Sequence, residues 1–229
     1  MLFRSVPLIR DGMNYSLDFV ALEKAYQSGV KAHFLCNPHN PVGIIFSATD
    51  LSKIAELAKK YGVIVMSDEI HAPLTYKDQK FIPFLSVSDT AREVGVCVTA
   101  ASKSWNLAGL KCAFIVVQSE RMNELAKKMP EAVHYRASLF GAIGAATAFT
   151  ATDWLDAVLD TLDRNRKYIK ELLDEKLPSV GYRIPDCSYL AWLDLSSLDL
   201  GEDPAVTLLE KEKVAFNHGV TFGPQASQL

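Results

Sequence analysis

Short apolar runs alternate with amphipathic stretches along the first two thirds of the chain. Residues 3–9 and Ala32–Cys36 have strand length and mostly apolar side chains, and residues 18–27 between them carry helical spacing closed by Gly29. Residues 49–61 repeat the helical pattern, with Leu51, Ile54, Ala55 and Ala58 on one face, hydroxyl residues near the start and Gly62 at the end. Three continuous apolar runs follow, at 63–66, 96–99 and 112–117. Runs without polar alternation predict strands covered on both faces by helices, and hence a mostly parallel sheet. Residues 152–177 predict one long helix with Leu155, Val158, Leu159, Leu162, Ile169, Leu172 and Leu173 as its stripe and Pro178 as its stop. Beyond it, residues 189–195 and 214–216 read as strands and residues 203–213 as a helix.

This order predicts an α/β fold. Residues 1–150 read as a large domain, and residues 151–229 as a linking helix with part of a smaller one. In open sheets of this kind ligands sit beyond the carboxyl ends of the strands. Polar clusters occupy those places, at residues 37–40, 68–71 and 102–106, so three loops are expected to converge on one crevice.

Composition narrows the class. With 49% hydrophobic and 22% charged residues in 229, the chain has the balance of a folded globular protein. A net charge of −3 and scattered Lys and Arg leave no basic field for nucleic acid. The most apolar stretch, residues 139–149, is broken by Gly and Thr and falls short of the roughly 20 residues a membrane span needs. The start Met1-Leu2-Phe3-Arg4 has no signal-peptide layout, which points to the cytoplasm. Cys36, Cys97, Cys112 and Cys187 are widely spaced without a CxxC pair, so free thiols are expected in preference to disulfides or a zinc site.

The segment 99–111, TAASKSWNLAGLK, carries the strongest local chemistry. A lysine at the mouth of a sheet among small residues can be partly desolvated and become nucleophilic toward an aldehyde; Lys103 alone also reads as a solvated loop lysine. NPHNPVG at 37–43 follows one predicted strand and SDEIHAPL at 67–74 follows the next. These motifs, with SKSWNLAGLK at 102–111, stand in the order that resembles class I/II aminotransferases dependent on pyridoxal 5'-phosphate (PLP). The wording is similar to the cystathionine β-lyase and cysteine desulfhydrase branch, the C–S lyases, and the resemblance runs over essentially the whole chain.

The resemblance implies a PLP-dependent transferase-like fold, a three-layer α/β/α sandwich with part of a smaller C-terminal α+β domain. It implies that Lys103 carries the cofactor as a Schiff base and moves the substrate Cα proton, while Asp68 pairs with the pyridinium nitrogen. Asn40 is implied to reach the cofactor's phenolic oxygen, and Ser102 and Lys111 to hold its phosphate. Many relatives have arginine in place of Lys111, and lysine keeps the charge but loses the bidentate fork. His71 falls where many aminotransferases carry a tyrosine; contact with the cofactor and a structural histidine both remain open. Trp105 and Tyr76 read as pocket-lining or packing aromatics. The implied activity is β-elimination from cystathionine or cysteine to pyruvate, ammonia and a thiol, with transamination or an inactive fragment as alternatives. A homodimer acting on a small-molecule amino-acid substrate is the implied assembly. Family members extend further at both ends, so a phosphate loop, a stacking aromatic and a carboxylate-binding arginine are expected outside this chain, leaving the strand at 3–9 without its usual neighbour.

Overall fold

The computed structural model describes residues 4–135, 137–223, 226 and 229. It opens with a hairpin in which β1 (Ile9–Asp11) pairs antiparallel with β2 (Asn14–Ser16) around Gly12, whose φ of 58° lies in the left-handed region. Helix α1 (Phe19–Gln27) begins where the Asp18 side chain accepts the Ala21 N–H at 2.9 Å. After β3 (Ala32–Cys36), helix α2 (Ala48–Tyr61) starts on a capping box between Ser47 and Asp50 and ends at Gly62 in the left-handed conformation. Strand β4 (Ile64–Asp68), the short helix α3 (Asp89–Val94) and β5 (Gly95–Thr99) complete the central layer.

Strands β3, β4 and β5 are parallel neighbours in that order. Leu51, Ile54, Ala55 and Ala58 of α2 are fully buried against Leu35, Val65, Phe84, Val94 and other apolar residues, forming the main core on one face of the sheet. Phe84 enters from the loop between β4 and α3 and is 0% exposed.

Strand β6 (Phe114–Val116) pairs antiparallel with β5. Helices α4 (Glu120–Lys127), α5 (Glu131–Tyr135) and α6 (Leu139–Ala148) lead into α7 (Thr152–Lys176). The 25-residue α7 matches the predicted long helix. A small hairpin-like pair, β7 (Gly181–Tyr182) with β8 (Leu193–Asp194), and helix α8 (Pro204–Glu212) follow. All four cysteines are free. Among the described residues, no helix is long and apolar enough to cross a membrane, and no group of His, Cys, Asp and Glu is placed to hold a metal.

Four expectations are corrected. Phe3 lies outside the described residues, and residues 4–8 form no strand: Pro7 lacks an N–H, no strand among the described residues pairs with the run, and Val6 and Leu8 contribute side chains to the core instead. The run at 112–117 shortens to Phe114–Val116, which is antiparallel and exposed on all three residues. A parallel neighbour needs a crossover that carries the chain back along the sheet, usually as a helix; residues 100–113 hold only turns and one short 3-10 turn (Ala108–Leu110), so the chain doubles back. Residues 189–195 supply only the two-residue β8, and residues 214–216 join no strand among the described residues. Apolar alternation cannot make a strand without a partner to take its backbone bonds.

Gly95 marks a close approach. A Cβ there would meet the Ala91 carbonyl oxygen and a ring carbon of Phe84, each at 2.6 Å. Gly95→Ala should therefore lower stability by about 1–3 kcal/mol through overpacking, measured as a drop in the urea midpoint; an unchanged midpoint would contradict this packing.

Candidate active site

The three parallel strands end in register. Cys36 lies beside Asp68, and Asp68 beside Val98. The pairing continues one residue further: the Asn37 N–H donates to the Asp68 carbonyl at 3.0 Å and the Glu69 N–H to the Val98 carbonyl at 2.9 Å. The loops after β3, β4 and β5 therefore leave from one sheet edge, carrying Asn40, Asp68, His71, Ser102 and Lys103. Because β6 runs the opposite way with Phe114 beside Thr99, Lys111 just before it returns to the same edge. All six candidate residues share that edge.

Each loop is held from below. The Asn37 side chain is fully buried and accepts the Phe46 N–H at 3.1 Å, while His39 exchanges backbone bonds with Ile44 and Gly43. Gly43, with φ 66°, allows the 37–43 loop to touch residues 185–187, since a Cβ there would lie 2.5 Å from Pro185 Cβ. Asp68 Oδ1 accepts the Ile70 N–H at 3.1 Å. Its neighbour Glu69 points into the interior, accepting from Ser67 Oγ at 2.9 Å and the Phe84 N–H at 2.8 Å; burial lifts its carboxyl above the usual range against these bonds. In the lysine loop, the Trp105 N–H donates to the Ala101 carbonyl and its indole N–H to the Ala151 carbonyl at 3.3 Å, with the ring edge-on to Phe149. Trp105 thus packs the base of the loop. Asn106 and Lys111 adopt left-handed φ values of 55° and 54°.

The polar heads at this edge stay uncommitted. The side chains of Asn40, Ser102, Lys103 and Lys111 make no hydrogen bond or ion pair among the described residues, and Asp68 makes only its turn bond. Lys103 and Asp68 do not neutralise each other. His71, 3% exposed, lies within electrostatic reach of both: burial lowers its pKa most, the Lys103 ammonium lowers it further, and Asp68 opposes them. The set therefore offers an anionic acceptor, two cations, an amide, a hydroxyl and an imidazole around one edge.

Residues far down the chain complete the surroundings, and sequence reasoning missed them. The Cys187 thiol donates to the His71 carbonyl at 3.1 Å, Ser188 Oγ lies 3.3 Å from His71 Nδ1, and the Tyr189 ring is 5.9 Å from the His71 ring. Tyr76 is buried, donating its hydroxyl to the Ser188 carbonyl at 2.7 Å. Above the Tyr76 ring, at 3.7 Å, sits the guanidinium of Arg166 from α7. Arg166 also donates to Pro185, Asp78 and Asp163. One signal was available: Arg166 occupies the stripe position four residues after Leu162 and three before Ile169, where a charge is out of place. Ser188, in a stretch without periodicity, offered none.

The aminotransferase class I and II family matches this chain over residues 3–227, and the chain belongs to that family. Cystathionine beta-lyase of Corynebacterium glutamicum is 36% identical over 210 residues, spanning 91% of this chain and 56% of that protein. Cystathionine beta-lyase PatB of Bacillus subtilis is 36% identical over 231 residues, spanning 95% of this chain and 57% of that one. Among solved structures, the PLP-bound C-S lyase from Staphylococcus hominis superposes with a TM-score of 0.86 at 28% identity, covering 97% of this chain and 57% of the other. The chain thus spans less than three fifths of the length of these relatives.

Two predictions follow from the burial around this edge. Burial lowers His33 and His39 to about 4, whereas in the unfolded chain both return to about 6.5. Between those values the unfolded state binds more protons, so stability should fall as pH drops from about 7 toward 4. The urea midpoint across that range checks this, and His39→Gln should flatten the slope; equal slopes in the two proteins would contradict it. Arg166→Met should cost about 2 kcal/mol by removing bonds to three partners from a buried site, with Arg166→Lys recovering only part because it lacks the fork; thermal melts of the three proteins compare them.

Proposed function

We propose that this chain holds pyridoxal 5'-phosphate and forms the cofactor-binding part of a C–S β-lyase, releasing pyruvate, ammonia and a thiol from a sulfur-bearing amino acid such as cystathionine or cysteine. The observation that carries the reading is the convergence of Asn40, Asp68, His71, Ser102, Lys103 and Lys111 on one sheet edge with their polar heads uncommitted. That donor set fits the cofactor. A carboxylate suits a protonated ring nitrogen, an ammonium suits an aldehyde, an amide suits a phenolic oxygen, and a hydroxyl with a second ammonium suits a phosphate. The names of the relatives, cystathionine beta-lyases and a PLP-bound C-S lyase, support the same reading.

When bound, PLP supplies the electron sink that weakens the bonds at the substrate Cα, a chemistry no side chain provides. The chain's own part is positional and acid–base. Lys103 would hold the aldehyde carbon of the cofactor, and its Nζ would take the proton from the substrate Cα. Asp68, held in place by its bond from Ile70, would keep the ring nitrogen protonated. Asn40 would donate its amide to the phenolic oxygen, and Ser102 and Lys111 would hold the phosphate. On this reading residues 1–150 form part of the large cofactor domain and residues 151–229 the linking helix with part of the small domain. The complete protein would be a cytoplasmic homodimer acting on a small-molecule amino-acid substrate.

Incubation with PLP should give a visible absorbance band that disappears on borohydride treatment, which leaves the reduced cofactor fixed to the chain through dialysis, and that is absent in Lys103→Ala; Asp68→Asn should weaken uptake at least 10-fold, the scale of one charge-assisted contact. The complete protein should then release pyruvate and thiol from cystathionine. A new amino acid from an added 2-oxo acid, with no thiol, would make the protein an aminotransferase, and failure to take up PLP would reject the reading.

A further inference from the structure

Ser188 is the most constrained residue near the candidate site. Its φ of 79° puts a side-chain-bearing residue in the left-handed region, and it is 2% exposed. All its polar groups are engaged: the N–H donates to the Leu74 carbonyl at 3.1 Å, the carbonyl accepts from Tyr76 at 2.7 Å, and Oγ meets His71 Nδ1 at 3.3 Å. Thr75 and Cys187 form a bridge beside it, and the Cys187 thiol bonds the His71 carbonyl. A strained residue persists only where its surroundings over-determine it, and such positions cluster at functional sites.

The hydroxyl decides which ring nitrogen of His71 carries the proton. A hydroxyl has one proton to give, and the acceptor in reach of Ser188 Oγ among the described residues is Nδ1. Were Nδ1 protonated and donating instead, the serine proton would be left buried without an acceptor, which is costly. With Ser188 donating, Nδ1 is the acceptor and the proton sits on Nε2, which makes no hydrogen bond among the described residues. Burial and Lys103 disfavour the charged form of the ring more than Asp68 favours it.

We infer that Ser188 is a positioning residue that fixes the Nε2–H tautomer of His71, so that the imidazole presents one N–H donor to an acceptor oxygen of the ligand bound between Asp68 and Lys103. This rests on the proposed PLP reading only for the identity of that oxygen, the phenolic one. The tautomer itself belongs to the unliganded chain. It also gives His71 a role that a purely packed histidine would lack.

Long-range proton–nitrogen correlations on chain labelled with 15N-histidine, assigned with His71→Gln, read the tautomer directly. The unaltered chain should show the Nε2–H form, and Ser188→Gly, which removes the hydroxyl while suiting the positive φ, should lose that preference. An Nδ1–H form in the unaltered chain overturns the inference even if the variant fails to fold; so does a tautomer unchanged in Ser188→Gly. PLP uptake followed by absorbance should weaken about 5-fold in Ser188→Gly, the scale of one hydrogen bond, and equal uptake would overturn the donor role. An unaltered chain with the Nε2–H form that takes up no PLP would reject the cofactor reading and leave the assignment to Ser188 standing.

Discussion

The in-register parallel pairing of β3, β4 and β5 is the constraint on which the rest of the molecule depends. Because Cys36, Asp68 and Val98 lie side by side, the chain leaves the sheet three times at one level. Asn40, Asp68, His71, Ser102 and Lys103 lie within a few residues of those exits, and Lys111 returns to the same edge just before β6. A slip of one residue would turn Asp68 from the edge toward the core, where Ser67 and Glu69 now point, and bring a buried carboxylate in its place. The apolar face of α2 makes such a slip costly, since Leu51, Ile54, Ala55 and Ala58 are all fully buried against side chains of the present register.

Around that edge the structure separates support from display. Asn37, Ser67, Glu69 and Trp105 are buried and, Trp105 included, bonded into backbone or neighbouring side chains. Asn40, Asp68, Ser102, Lys103 and Lys111 keep their heads away from one another. Such an arrangement costs little folding energy at the displayed residues and leaves their full hydrogen-bonding capacity for a ligand. His71 lies between the two groups, buried yet within reach of both charges.

The C-terminal segments are joined to this edge by a chain of contacts rather than by sheet. Arg166 on α7 stacks on Tyr76 and bonds Pro185; Tyr76 bonds Ser188; Ser188 and Cys187 bond His71. A change at a helix more than 90 residues along the chain can thereby alter the orientation of a ring at the candidate site.

Much of this was legible before any coordinates. The apolar spacing of α2 and its stop at Gly62, the strand runs of β3 to β5 and the long stripe of α7 follow from local rules of helix and strand, and three polar motifs directly behind strands marked the site edge. Local patterning determines an element's type because its period and end signals are written within a few turns of chain. What only the tertiary structure decided was pairing and distant contact. The direction and exposure of β6, the failure of residues 4–8 and 214–216 to become strands, the burial of Arg166 and the seating of Ser188 on His71 all depend on partners remote in the chain. Backbone bonds and buried polar groups need a specific neighbour in space, and that neighbour leaves no mark on the spacing of the residues that need it.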